Sequence, residues 1–147
     1  MPAPANATLP LLPPLRNLRH ELAALAPQRA VLVLLVSRHD CPYCLEVRRN
    51  YLAPLQRAGA PGLHLRELES DTVSELADAS GQRQPIAALL RQLNVRFFPT
   101  VLFLGPDGRA LAEPLLGADQ SGFYGAYLDA RLQQAQAAAL AQYKEAP

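Results

Sequence analysis

Hydrophobic positions along this chain follow two patterns, a helical spacing and an unbroken run. Leu15, Leu18, Leu22 and Leu25 recur at intervals that lay one stripe along a helix. Pro13-Pro14 would open that helix and Pro27 would stop it. The stripe predicts packing on the edge of a sheet, and the opposite face lacks the basic character of a membrane-surface helix. Ala30 to Val36 is apolar without interruption, as in a central strand covered on both faces. From Pro42 the pattern is helical to about Leu52 or Gln56, with Pro54 ending or kinking it. Gly59 to Gly62 is a turn cluster. Leu63 to Leu68 alternates in part and reads as a second strand, parallel to the first across a βαβ crossover.

Ser70 to Gln84 is polar and weakly patterned, a surface excursion long enough for a functional loop, with one helical turn expected over Thr72 to Ala77. Pro85 opens a short helix carrying Ile86, Leu89, Leu90 and Leu93 on one side, with Asn94 as its left-handed cap. Val101 to Leu104 is a buried strand and Gly105-Pro106-Asp107-Gly108 a tight turn. Arg109 to Leu116 returns as the antiparallel partner, with Pro114 marking an edge or bulge. A last helix starts near Phe123 with Tyr124, Tyr127, Leu128 and Leu132 inward. The Ala-rich stretch from Ala135 to Tyr143 has high helix propensity but little to bury, so fraying is expected. Residues 1–12 form a Pro-rich flexible arm ahead of one domain over 13–147.

Composition narrows the class. The 147 residues suffice for one domain with a sizeable core. A net charge of +1, from 14 Lys+Arg and 13 Asp+Glu, argues against nucleic acid or an anionic membrane as the main partner. No apolar run approaches the roughly 18 residues of a membrane span. Met1-Pro2-Ala3-Pro4 lacks the basic and apolar regions of a signal peptide. Either the protein is cytoplasmic or its leader has been removed. The Pro-rich start resembles the tether of an exported chain, so a periplasmic setting is expected.

The chemistry lies in Cys41-Pro42-Tyr43-Cys44, which holds the chain's only 2 cysteines. A buried strand that delivers C-x-x-C to the start of a helix is a device for reversible dithiol chemistry. The first N–H groups of a helix lack partners and its dipole favours negative charge. A cysteine there can fall from about 8.5 to roughly 3.5–7.5 in pKa. Pro42 suits the first helical position. Cys41 is then the exposed attacking sulfur and Cys44, one turn deeper, the resolving one. His39, if protonated, would favour the Cys41 thiolate and Asp40 would oppose it. Arg48 and Arg49 read as a solvated face, and His20 and His64 as surface residues. The rival chemistry is Cu(I) or half a zinc site on the C-x-x-C. A closed zinc site needs four ligands, no second cysteine pair exists, and no metal or cofactor is expected.

The order strand, C-x-x-C helix, strand, helix, Pro-bearing strand, hairpin strand, helix resembles the thioredoxin-like fold: a central mixed sheet of about four strands flanked by helices, here with an extra N-terminal helix. The resemblance rests on Cys41-Pro42-Tyr43-Cys44, on Phe98-Pro99-Thr100, on Gly105-Pro106-Asp107-Gly108 and on Gly117, over about Ala30 to Leu132. The N-terminal helix, the 70–84 excursion and the hairpin resemble exported bacterial thiol:disulfide interchange proteins. The resemblance implies a cis Pro99 facing the cysteines, with the Phe98 backbone free to pair with an extended substrate segment. Thioredoxins carry Trp-Cys-Gly-Pro-Cys, whereas this chain has no Trp. Leu35 stands where thioredoxins place a buried Asp that relays the inner cysteine's proton, which leaves water or Glu67 for that role.

The expected function is a thiol–disulfide oxidoreductase acting on protein substrates, with Cys41 and Cys44 catalytic and Pro42, Tyr43, Phe98 and Pro99 at the substrate. A second redox protein would reset the couple, and the protein is expected to be a monomer. Pro-Tyr is also the dipeptide of glutaredoxins, so a glutathione-dependent reductase is the alternative, although their glutathione-clamping pattern is absent. That dipeptide hints at a redox potential above thioredoxin's.

Overall fold

The computed structural model describes residues 11–119 and 121–145. Residues 1–10 of the expected arm lie outside that range, while Leu12 is buried in the core. The helix expected from Pro13-Pro14 begins later. A proline disfavours helical backbone in the residue before it, and Pro13 precedes Pro14. The segment is extended instead: the Leu15 N–H donates to the Glu67 carbonyl at 2.8 Å and the Glu67 N–H to the Pro13 carbonyl at 2.9 Å. Helix α1 (Leu18–Ala23) starts at Asn17, whose side-chain oxygen accepts the His20 N–H at 2.9 Å. The short α2 (Leu25–Gln28) contains Pro27 and stops at Arg29, which has φ 50°. The predicted stripe of Leu15, Leu18, Leu22 and Leu25 is buried.

Strand β1 (Val31–Ser37) is buried along its whole length. It pairs in parallel with β2 (Leu63–Glu69) and antiparallel with β5 (Thr100–Leu104), and β6 (Leu115–Leu116) closes a mixed sheet of order β2-β1-β5-β6. Successive side chains of a strand point to opposite faces. Val31, Val33 and Leu35 pack with Val47, Leu52, Leu128 and Leu132 on one side of the sheet. Leu32, Leu34 and Val36 pack with Leu18, Leu22, Leu25, Ile86 and Leu89 on the other. The continuous apolar run is therefore the middle layer of three.

The 70–84 excursion is a hairpin, not a helical turn. β3 (Glu75–Ala77) pairs antiparallel with β4 (Arg83–Pro85). Asp78 makes its turn: one carboxylate oxygen accepts the Ser80 and Gln82 N–H groups at 2.9 and 3.0 Å and the Ser80 hydroxyl at 2.8 Å. Asx-type bonding of this kind competes with helix. Helix α5 (Ile86–Gln92) follows, and Asn94 takes the expected left-handed conformation at φ 57°. The return strand expected over Arg109 to Leu116 keeps only a bridge between Leu104 and Ala110 and the two residues of β6. Pro114, with no N–H to give, lies in the gap.

Helix α6 (Tyr124–Glu145) buries Tyr124, Leu128, Leu132, Ala135 and Ala139. Tyr127 falls beside that stripe and is exposed, contrary to its expected inward placement. The Ala-rich end is packed where fraying was expected. Ala135 and Ala139 are fully buried, and the Tyr143 hydroxyl donates to the Ala30 carbonyl at 2.9 Å. His64 is likewise held rather than free on the surface: its Nε2 lies 2.6 Å from Glu21 Oε2, which Arg66 Nε also approaches at 2.6 Å.

Candidate active site

The site begins where β1 ends. Ser70 ties the strand end to the next segment, its N–H and hydroxyl meeting the Ser37 carbonyl at 2.8 and 2.9 Å. The His39 N–H donates to Asp71 Oδ1 at 2.7 Å, and Arg38 Nε lies 3.8 Å from Asp71 Oδ2. That N–H holds the Asp71 carboxyl below the usual carboxylate range. Asp40 turns the chain with φ 53°, and Cys41 follows as the N-cap of α3 (Pro42–Val47). Pro42 occupies the first helical position as expected.

Cys41 and Cys44 are joined in a disulfide, with their Cα atoms 5.2 Å apart. Cys41 Sγ also accepts the Cys44 N–H at 3.2 Å, so an orphan donor of the helix mouth points at the outer sulfur. Cys41 is partly exposed and Cys44 is 0% exposed. His39 and Asp40 are exposed beside them. His39 Nδ1 lies 3.5 Å from Glu69 and its Nε2 3.6 Å from Asp40.

The helix widens below the cysteines. Residues Arg48–Leu52 form a π turn in which the Ala53 N–H reaches back five residues to the Arg48 carbonyl, and α4 (Ala53–Ala58) continues from it. Pro54 therefore neither ends the helix nor removes a needed donor. Arg48, expected on a solvated face, is turned inward. Its Nε and Nη2 donate to Glu67 at 2.7 and 2.5 Å, and the Ser37 hydroxyl donates to the same carboxylate at 2.5 Å. The Glu67 hydrogen bond holds the guanidinium above its ordinary value against the opposing effect of burial. Glu67 is the β2 neighbour of Leu35. Among the described residues it bonds Arg48 and Ser37, and no hydrogen bond joins it to Cys44.

The Phe98–Pro99 peptide bond is cis, and both residues share a groove with Tyr43, the residue between the cysteines. The Gly117 N–H donates to the Pro99 carbonyl at 2.8 Å and the Thr100 hydroxyl to the Phe97 carbonyl at 2.7 Å. The Arg38 guanidinium lies 5.5 Å from the centre of the Phe98 ring. A groove of about 450 Å³ is lined by Tyr43, Phe97, Phe98, Pro99 and Leu116 to Ala118. Tyr43, Phe97 and Leu116 are exposed in it. A second hollow of about 510 Å³ is lined by Cys41 itself, with Arg38, His39, Asp40, Arg48 and Glu69 among its walls. The fold thus brings Cys41, Cys44, Pro42, Tyr43, Phe98 and Pro99 together, with His39 and Asp40 at the rim. Arg48, Asp71 and Leu116 were not foreseen; Pro54 alone hinted that the helix was irregular there.

A partly exposed cysteine at a helix mouth, bonded to a buried one a turn deeper on a three-layer α/β fold, defines a dithiol–disulfide centre. A family model described as a thioredoxin-like domain matches residues 18–122. The chain belongs to that family and is a thiol–disulfide oxidoreductase. Among solved structures it is similar to thioredoxin NaTrxh from Nicotiana alata, at 13% identity and TM-score 0.55 over 82% of this chain and 93% of that one. Fasciola hepatica thioredoxin matches at 13% identity and TM-score 0.54, over 82% of this chain and 97% of the other. The oxidized form of mitochondrial thioredoxin 3 from Saccharomyces cerevisiae matches at 19% identity and TM-score 0.52, covering 81% and 93%. These likenesses establish the fold. No curated protein matches the chain. Among the described residues no helix is long and apolar enough to cross a membrane, and no group of three or more metal-ligating side chains gathers.

Proposed function

We propose that the protein exchanges disulfides with protein partners through the Cys41–Cys44 couple. In the reducing direction the Cys41 thiolate attacks a partner disulfide, forms a mixed disulfide and expels one partner thiolate. Cys44 then gives up its proton and attacks Cys41 Sγ, expelling the second thiolate. The partner gains two electrons and two protons, and Cys41–Cys44 is oxidised. A second redox protein reverses the sequence. The amide-rich helix mouth stabilises the outer thiolate. A protonated His39 adds to that effect, while Asp40 opposes it.

The observation that carries the reading is the asymmetry of the two sulfurs beside an uncharged groove. Cys41 can meet another sulfur, and Cys44 is sheltered until the mixed disulfide forms. The groove lining of Tyr43, Phe97, Phe98, Pro99 and Leu116 to Ala118 carries no charge. Such a wall suits an extended polypeptide segment, which offers backbone groups to Phe98 and apolar side chains to the rings. Glutathione, with two carboxylates and an ammonium, would find its ionic partners in the hollow lined by Cys41, where Arg38, Arg48 and Glu69 lie, and not among the groove-lining residues. Pro42-Tyr43 between the cysteines supports a potential above the roughly −270 mV of thioredoxin.

Trapping tests this directly. Cys44→Ser incubated with insulin should accumulate a mixed disulfide at position 41 that dithiothreitol releases. Cys41→Ser should form none and should lose insulin reduction. Insulin reduction that survives Cys41→Ser would remove the proposal.

A further inference from the structure

The wide turn of the active-site helix sends two side chains to opposite flanks of the site. Arg48 reaches Glu67 on β2, as described. Tyr51, from the same π turn, reaches the other flank: its hydroxyl donates to Asp119 Oδ2 at 2.8 Å. The Tyr51 ring is packed against Tyr124 of α6, with centroids 4.6 Å apart, so the hydroxyl is aimed by a fixed ring. The other Asp119 oxygen accepts the Gly122 N–H at 2.7 Å and the Ser121 N–H at 3.3 Å. One carboxylate thus joins the approach to α6 to the helix that carries the cysteines.

The residues immediately before Asp119 are the groove wall. Leu116 pairs with Thr100 on the sheet, and the Gly117 N–H is held by the Pro99 carbonyl. Gly117 has φ 75°, a left-handed conformation in which a side chain would be strained, and its chain direction changes there. The wall is therefore fixed to the strand at Gly117 and to the helix at Asp119. Ala118, between those two anchors, lines the groove together with Tyr43 and Phe97.

We infer that the Tyr51–Asp119 hydrogen bond is a positioning latch that sets the breadth of the substrate groove, and so governs acceptance of extended protein segments without touching the sulfur chemistry. The inference rests on the protein-disulfide exchange proposed above. A segment lying across Pro99 must fit between Tyr43 and the Leu116–Ala118 wall. A small disulfide that meets only Cys41 has no use for the wall. Tyr51 is accordingly a positioning residue, acting through Asp119 on the loop and not on the reacting atoms.

The test compares substrates. Tyr51→Phe keeps the ring on Tyr124 and removes only the hydroxyl. With insulin as substrate its KM should rise about three- to ten-fold, the effect of one lost net hydrogen bond, with kcat unchanged. Reduction of 5,5′-dithiobis(2-nitrobenzoate) and the Cys41–Cys44 potential should match wild type. Amide exchange at Gly117 and Ala118 should quicken. Asp119→Ala should reproduce this pattern, and Asp119→Asn, whose amide oxygen can keep the Gly122 and Ser121 N–H groups while its NH2 donates to the Tyr51 hydroxyl oxygen, should largely restore the wild-type KM. An equal loss with both substrates, or an unchanged insulin KM, overturns the latch. Were wild type itself inert toward insulin, the proposed function would fall, and unchanged amide exchange in Tyr51→Phe would overturn the latch independently.

Discussion

Arg48→Met removes both hydrogen bonds that the guanidinium gives to Glu67 and leaves that carboxylate with the Ser37 hydroxyl alone. The Glu67 and Arg48 side chains are only 11% and 16% exposed, so water cannot fully replace the missing donors. Breaking a fully buried pair from one side costs about 3–5 kcal/mol, because an uncompensated charge stays behind. The residual exposure here lowers the expectation to about 2–3 kcal/mol, still well above the 0–1 kcal/mol typical of surface pairs. For a domain of this size that corresponds to a fall in Tm of roughly 4–12 °C. The guanidinium is held above its ordinary value; a raised cationic group contributes stability below its unfolded pKa and loses it only above, so the pair is intact at neutral pH. Urea unfolding followed by circular dichroism, with the disulfide kept closed, gives the number. Adding Glu67→Leu to Arg48→Met should recover most of the loss, since an apolar pair carries no stranded charge. If Arg48→Met stays within about 0.5 kcal/mol of wild type, or if the double variant is less stable than the single, the pair is not the buried lock described here.

Three further outcomes follow from the structure. The Asp78 carboxyl is held below the usual range by the Ser80 hydroxyl first and by Gln84 and the Gln82 and Ser80 N–H groups after it. Its stabilising effect is present above the unfolded value of about 3.9 and is lost as pH falls through the lower folded value; Asp78→Asn should therefore show a flatter loss of stability below about pH 4, and parallel acid-unfolding curves would contradict this. Ala139 is fully buried and Leu140 exposed, so Ala139→Leu should destabilise by about 1–3 kcal/mol through overpacking, whereas Leu140→Ala should leave Tm nearly unchanged. Tyr43→Ser should leave thermal stability within about 0.5 kcal/mol of wild type because the ring is exposed, yet lower kcat/KM for insulin, and retained kcat/KM would remove Tyr43 from the substrate surface.

Much of the fold was legible because its signals are local. The apolar run of β1 states a two-sided strand; the leucines from Leu15 to Leu25 are buried against that strand's face rather than at the sheet edge, with Leu15 in the extended segment before α1. Asn94 caps its helix because a left-handed residue is needed there. The misreadings have separate physical causes. Pro13-Pro14 looked like a helix opening, but the first proline restricts itself through the second, and the segment joins β2. Thr72 to Ala77 carried no periodicity, and Asp78, four bonds from its carboxylate, decided for a hairpin. The Ala-rich end was judged by what alanine itself buries. Small side chains also let a helix approach a sheet closely, and Ala135 and Ala139 are used in that way.

The active site divides along the same line. Its redox chemistry was readable because two cysteines, a proline and the amides of one helix turn are neighbours in sequence as well as in space. The contacts that hold its walls were not, because each joins distant segments: Arg48 with Glu67, His39 with Asp71, Gly117 with Pro99, Tyr51 with Asp119. Helical spacing can place Arg48 on a face but cannot say which strand supplies an acid to meet it. Pro54 signalled an irregular turn, and the π geometry turned that irregularity into two side chains reaching opposite flanks. Substitutions at Cys41 and Cys44 should therefore change what the sulfurs do, whereas loss of the remote Tyr51–Asp119 contact should change which partners the sulfurs reach.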